Sequence, residues 1–387
     1  MNLIIKKSLC GPFLTAGLFL FFGSAVGADE GQSPVRYSGT LRATYDYRSL
    51  DSSEDQDVYG YWYLRASGLA DKQIDIYTSG RLESDLDGSG TSYADDPFIS
   101  LDDTSKNDTA RVLQFYVDIH DPKKINAIRA GRQYVDVADY IQVDGIQVMI
   151  REGKTLGGRV FAGLPVSDYS SVSGDTFAGA SLVGKPWKGN QSRVTYARYE
   201  DDSVKAEDDH YFLDVRQQFM DEVRGRTYLS VMNEDVRMGG ADLMYVSLSE
   251  TPFDASVGIR RWGEYDANTR VYSPLVEVLG DQEPYTTGYG RFTAPIVSTL
   301  YLSPGAMIRR PDDTDATNHS FERYDIGLIY EPFKAFDASV SLEYWDVEDG
   351  EKFFGVSGDV RYRHQKIWEL SLGAAYVDYT YFQLPDF

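Results

Sequence analysis

The 387-residue chain holds one cysteine, Cys10, close to its N-terminus. Once an N-terminal leader is removed, no cysteine is left for a disulfide, a thiolate metal site or covalent haem attachment. Histidine is nearly as scarce, with four scattered residues. Beyond the N-terminus no stretch approaches the roughly 20 apolar residues of a spanning helix, and the mean hydropathy is −0.38. If this chain crosses a membrane, it does so with strands. Basic residues are also in short supply, 38 against 60 acidic ones, for a formal charge of −22. So acidic a chain is not built to bind nucleic acid; the charge solvates long exposed loops.

What the chain has in quantity is tyrosine, phenylalanine and glycine: 29, 19 and 35 residues. The aromatics favour pleated surfaces and glycine favours turns. Lys6 and Lys7 precede an apolar core, Phe13–Phe22, and then the small residues Ser24-Ala25-Val26-Gly27-Ala28. This is the pattern of a secretory signal covering residues 1–28. Its removal takes two positive charges, and the charge falls from −22 to −24.

The stretch Val35–Arg48 sets the pattern for residues 29–387. Tyr37, Gly39, Leu41, Ala43, Tyr45 and Tyr47 fall on one face, and Arg36, Ser38, Thr40, Arg42, Thr44, Asp46 and Arg48 on the other. Period two places the two sets on opposite sides of a strand. An apolar, aromatic face opposite a charged one suits a wall between lipid and water. Only a closed barrel makes such a wall from strands, because an open edge leaves backbone groups unpaired in lipid.

The same split recurs down the chain. Candidate strands after the first are 58–66, 73–85, 111–120, 125–134, 142–151, 156–164, 176–184, 193–200, 210–218, 223–233, 241–249, 254–262, 285–293, 299–309, 323–330, 336–347, 354–363 and 368–379. Short turns such as Asp121-Pro122-Lys123-Lys124 alternate with longer polar loops such as 86–110. Bacterial outer-membrane barrels have this asymmetry and an even strand number. The expectation is therefore a single all-β domain, a transmembrane antiparallel up-and-down barrel of about 18 strands in a range of roughly 16–20. Phe387 is a terminal aromatic, but Pro385 interrupts the alternation there.

The charged faces point to the lumen. Arg36, Arg42, Arg48, Asp75, Arg81, Glu83, Arg224 and Arg226 are expected there, beside Asp46, Asp118 and Asp214. Mixed charge can line a watery passage and set ion preference, or can pair across the bore and close it. Ala130-Gly131-Arg132-Gln133, followed by Asp144-Gly145, resembles a Gly-Arg-Gln and Asp-Gly pair of alginate-export-type and related substrate-specific porins of Gram-negative outer membranes. The resemblance implies a selective path of inward arginines and places Arg132 on it. The segment between the two motifs is shorter here, so alginate does not carry over as the substrate.

Asp85-Leu86-Asp87-Gly88-Ser89-Gly90, with Asp96 eleven positions after Asp85, copies a calcium-loop spacing. Asp85, Asp87, Ser89 and Asp96 are candidate ligands of a structural calcium or simply an acidic loop tip. No other cofactor is expected. His210 beside Asp208 and Asp209 is the best catalytic cluster, and a weak one. Trp187 and Trp368 near short turns, and Trp262 and Trp345 near outer loops, are expected at the membrane interfaces. These features suggest a non-enzymatic channel in the cell outer membrane, in contact with lipid and lipopolysaccharide, passing small solutes or ions, with a homotrimer as the candidate assembly. The alternative is a barrel sheath around a periplasmic multihaem cytochrome.

Overall fold

The computed structural model describes residues 13–26, 35–50, 53–86, 108–121, 125–151, 155–166, 174–249, 253–264, 269, 284–312, 319–348, 352–364 and 367–377. Among them stand twenty strands: β1 (Phe13–Val26), β2 (Val35–Leu50), β3 (Ser53–Gly68), β4 (Ile74–Asp85), β5 (Asp108–Asp121), β6 (Ile125–Asp136), β7 (Tyr140–Ile150), β8 (Leu156–Pro165), β9 (Thr176–Gly184), β10 (Asn190–Asp201), β11 (Ala206–Gln218), β12 (Val223–Met232), β13 (Asp235–Val246), β14 (Asp254–Trp262), β15 (Tyr285–Val297), β16 (Leu300–Pro311), β17 (Phe321–Phe333), β18 (Phe336–Val347), β19 (Lys352–His364) and β20 (Trp368–Val377). Each pairs antiparallel with the next in sequence. β20 pairs antiparallel with β1, which closes the ring.

All nineteen candidate segments are strands, β2 to β20. The strand number lies within the expected range of roughly 16–20. The apolar core of the expected leader stands here as β1 between β20 and β2. It brings the ring to an even number. Without it, β2 and β20 run in the same direction, since each is antiparallel to β1.

The outer wall follows from the alternation. Leu41, Leu82, Phe115, Leu182, Val257, Val340 and Leu372 are exposed, and each alternates with a more buried or polar neighbour. Aromatic rings border this apolar band. Near the short turns lie Tyr245, Phe253 and Phe292, the pair Phe333–Phe336, and Tyr362 with Trp368. Towards the long loops lie Tyr196 and Tyr211, 5.2 Å apart, and Tyr324 and Tyr344. Amphipathic rings settle at the two interfaces of a bilayer. Trp187 and Trp368 belong to the short-turn side. Trp262 and Trp345 instead face the lumen, where the guanidiniums of Arg237 and Arg323 lie 5.1 and 5.2 Å from their rings. Their place in the chain, close to outer loops, says nothing about which face they occupy; strand parity decides that.

Candidate functional site: the charged lumen and its inward hairpin

The inner wall is a circuit of arginines, most of them beside a carboxylate. Arg129 forms a bidentate pair with Asp118 at 2.8 and 2.9 Å, and its guanidinium lies 3.9 Å from the Tyr116 ring. Buried Asp214 serves three arginines: Arg226 at 2.8 Å, Arg216 at 3.0 Å and Arg193 at 3.8 Å. On the far wall Arg291 meets Asp325 at 2.7 Å, Arg323 meets Glu343 at 3.0 Å and Arg361 meets Asp337 at 2.8 Å. Rings lie beside many of these guanidiniums, as with Arg309 and Tyr285 at 3.9 Å. The planar cation is attracted to the ring face and keeps its edge for acceptors.

Most expected lumen residues take their place on this wall. Arg42 donates from Nε to Thr44 Oγ1 at 3.0 Å and lies 5.5 Å from the Tyr61 ring; Arg36 shares its face of β2. Arg81 pairs with Glu83 and lies 5.6 Å from the Tyr59 ring. Arg226 binds Asp214, and Arg224 shares its face of β12 at the short-turn end. Asp75 sits at the short-turn end of β4, where it accepts from Arg65 at 2.5 Å and from the Gly68 N–H at 3.0 Å, 3.4 Å from His120. It ties a turn more than it lines the bore. Arg48 stands opposite Asp55 in the β2–β3 ladder; its side chain, like Asp87, Ser89 and Asp96 of the candidate calcium loop, lies outside the described residues. Asp85 ends β4. Among the described residues no group of three or more acidic or histidine side chains is placed to hold a metal.

Arg132 is the correction. In register it stands between Phe115 of β5 and Asp144 of β7, and Asp144 stands opposite Leu164 of β8. Phe115 and Leu164 are lipid-facing, 54 % and 55 % exposed. Arg132 therefore points outwards, bidentate to Asp144 at 2.9 and 2.8 Å. A strand end with mixed neighbours on both faces hid this parity.

The feature that sequence reasoning missed starts one residue earlier. Gly131 has φ +124°, where a Cβ would overlap the Phe115 carbonyl oxygen. Only glycine takes that conformation readily. The β5–β6 ladder stops at Phe115–Arg132, and the β7–β8 ladder stops at Val143–Pro165. Beyond these points, apart from the Gln142 carbonyl that accepts from the Val166 N–H at 2.9 Å, the β6–β7 ladder continues alone and leaves the wall. Its apolar side, Val135, Val137, Ile141 and Val143, packs on the lumen-facing residues Phe161, Phe177, Ala197, Tyr199 and Met232, with Trp262 at the margin. The hairpin thus fills the outer part of the bore against β8 to β14.

Two ion pairs hold it there. Asp139 at the tip meets Arg237 of β13 at 2.6 Å, and Asp136 meets Arg193 of β10 at 2.5 Å. A separate contact ties the segment after β14 to β11. Thr269 donates its N–H and its hydroxyl to buried Asp208 at 2.8 and 2.7 Å. Alternating Val135/Val137 and Ile141/Val143, with only Ala138-Asp139-Tyr140 between, was the available signal for a second buried face.

The suggested catalytic cluster comes apart. His210 is buried with Nε2 2.7 Å from Ser230 Oγ, Asp208 is committed to Thr269 and Asn233, and Asp209 faces outwards and accepts from Tyr196 at 2.7 Å.

No family model and no curated protein matches the chain. Among solved structures it is similar to Pseudomonas aeruginosa OccK11 (OpdR), with 12 % identity, TM-score 0.48 and 96 % of each chain covered. A BenF-like porin from Pseudomonas fluorescens Pf-5 gives 13 % identity and TM-score 0.45, covering 95 % of this chain and 98 % of that one. Acinetobacter baumannii OccAB4 gives 8 % identity and TM-score 0.47, covering 96 % and 99 %. At such identities and scores the likeness says nothing of solute or selectivity.

Proposed function

We propose that this protein is an outer-membrane channel for passive diffusion of small hydrophilic solutes or ions, with residues 1–28 acting as its export signal. One observation carries the reading. A single ring of strands is apolar and aromatic outside and lined inside by arginine–carboxylate pairs, as with Leu372 outside and Arg361–Asp337 inside. Lipid can wet the first surface and water the second. The chemistry is that of a pore wall, with no step that makes or breaks a bond. Contact with lipopolysaccharide, and assembly into trimers, belong to the same proposal.

The sheath alternative needs a clear bore for another protein. The hairpin tip occupies part of that bore, and nothing favours a haem-bearing partner.

Conductance of the refolded protein in a planar bilayer under a salt gradient tests the channel. Discrete steps are expected, with a reversal potential set by the lumen charges. A folded barrel that gives no steps would end this reading.

A further inference from the structure

The inward hairpin seats against β8 to β14, and β3 belongs to another part of the wall. Leu64 of β3 stands in register with Gly39 of β2 on the lipid face and is 42 % exposed. Parity therefore sends Tyr59, Tyr61 and Tyr63 into the bore. There they stand opposite Thr44, Arg42 and Thr40 on one side and Glu83, Arg81 and Ser79 on the other. β3 descends from the long-loop end of the barrel to the short turn Leu69–Lys72. Its three rings step down the wall about 7 Å apart.

The row continues across the next two strands. Tyr77 of β4 and Tyr116 of β5 face each other in register, with ring centroids 5.0 Å apart and planes 22° from parallel. Tyr63 stands opposite Ser79, so Tyr77 is its diagonal neighbour. At the upper end Tyr59 and Tyr61 are 6.4 Å apart at 26°. Together the five tyrosines make one descending ribbon of rings. Tyr63, in its middle, is 43 % exposed. Among the described residues the hydroxyls of Tyr61 and Tyr63 meet no protein partner. Ring surface kept in line against water marks a place that something else covers.

The groups beside the rings are charged but balanced. Arg81 pairs with Glu83, Arg65 with Asp75 and Arg129 with Asp118. Each pair sums to zero, so none of them offers a surplus cation to an acid. Side by side they present N–H donors and carboxylate acceptors, which suits a hydroxyl, a donor and an acceptor at once. A sugar ring fits this combination. Its face of C–H bonds lies against the negative face of an aromatic ring, and its rim carries hydroxyls.

We propose that the tyrosine row is a binding track for an uncharged linear oligosaccharide. Successive sugar rings lie on Tyr59, Tyr61 and Tyr63 and pass down to Tyr77 and Tyr116, while their hydroxyls exchange hydrogen bonds with the flanking pairs. Several equivalent weak sites hold such a chain in line and still let it move, because each step trades one ring for the next. The track rests on the channel reading and names a solute class for it.

Blockade of the ion current through the full chain in a planar bilayer decides it. The probes are maltohexaose and chitohexaose, with a polyethylene glycol of matching mass as the steric control. At least one hexasaccharide should interrupt the current at a concentration about tenfold lower than the glycol does. Tyr61→Leu/Tyr63→Leu keeps apolar bulk and removes both ring faces. It should weaken that block about tenfold, from two lost stacking contacts. Tyr61→Phe/Tyr63→Phe keeps the faces and should retain most of the block.

The track is overturned if neither sugar blocks beyond the glycol, or if the leucine variant blocks like the parent. It is also overturned if the phenylalanine variant loses as much as the leucine one, or if hexagalacturonate, an acidic counterpart of maltohexaose, blocks more strongly than both sugars. Current without sugar reports on the channel and on folding in the same traces. Conduction without sugar block defeats the track alone. A folded barrel without current defeats the channel reading, and calorimetric titration of that barrel in detergent with the two sugars then decides the track, no heat of binding overturning it.

Discussion

Asp139, at the tip of the β6–β7 hairpin, places its carboxylate 2.6 Å from the guanidinium of Arg237 on β13, and the Arg237 side chain is only 1 % exposed. The contact joins two elements separated by five intervening strands of the ring, so it crosses the bore rather than following the wall. Breaking a buried ion pair from one side costs about 3–5 kcal/mol, because the other charge is left without its partner. Arg237→Ala should therefore release the tip, and single-channel conductance should rise by about twofold with more open-state noise, as expected when a constriction loosens. Arg237→Lys, which keeps a charge but loses the planar fork over Trp262, should fall between. Unchanged conductance in Arg237→Ala would mean that the tip does not limit the passage.

Selectivity hangs on a hub. Asp214 is a single carboxylate among Arg193, Arg216 and Arg226. Asp214→Asn should strip the carboxylate that the three arginines share, leaving Asp136 on Arg193 alone, and shift the reversal potential towards anion preference. Arg226→Gln should shift it the other way, and by less, since two arginines remain. The ratio of permeabilities should change by about two- to fivefold for Asp214→Asn, a size consistent with one lumen charge. Bi-ionic potentials measured at low salt give the clearest reading, because screening weakens the effect as salt rises.

The ring itself was legible from period-two alternation, because that pattern comes from backbone geometry and needs no tertiary knowledge. Each of the nineteen segments from Val35 onwards shows it. Faces were legible wherever apolar residues marked one side cleanly, as on β2 and β12. They were not legible at Arg132 or at Trp262 and Trp345, where the neighbours are mixed and only register fixes the side. The hairpin was illegible for a different reason. Its departure depends on the backbone of one residue, Gly131, and on partners such as Arg237 that lie about a hundred residues away. Local pattern holds no record of such a contact.

Asp175, just before β9, offers a pH test outside the membrane-spanning strands. Burial pushes its carboxyl above the ordinary range, and Asp201 and Asp202 push it further. Its raised pKa means that the folded state holds the proton more tightly than the unfolded one. Stability therefore falls as pH climbs from the ordinary carboxylate value through the raised one. Asp175→Asn keeps the oxygen that accepts from the Asp202 N–H at 2.8 Å and drops the charge. At pH 7 it should raise the melting temperature by about 1–2 °C, and at pH 3.5 the gain should vanish. A gain of the same size at both pH values would rule out the charge as its cause.

The leader is testable by mass. Signal cleavage after Ala28 should leave a protein beginning at Asp29, and intact-mass spectrometry of material extracted from the outer membrane should find it. The consequence is structural as well as topological, because β1 is the strand that lets β2 and β20 both keep antiparallel neighbours. Recovery of the uncleaved 43.5 kDa chain from folded barrels would instead make Phe13–Val26 a permanent part of the wall.

Gly131 is where the inward bend is encoded, and alanine there should undo it. At φ +124° a Cβ overlaps the Phe115 carbonyl oxygen, and strain of this kind costs about 1–3 kcal/mol. The chain can relieve it by rotating β6 back towards β5, which would draw the hairpin out of the lumen and cost its apolar packing on Phe161, Phe177 and Tyr199. Gly131→Ala should thus lower the melting temperature and speed amide exchange at Gln133–Val137, while also raising conductance in the direction expected for Arg237→Ala. Gly288→Ala is the matched control, because a Cβ at Gly288 meets nothing within 4 Å. If Gly131→Ala lost stability with unchanged exchange in the hairpin, the strain would be absorbed elsewhere, and Gly131 would be a packing residue rather than the hinge of the bend.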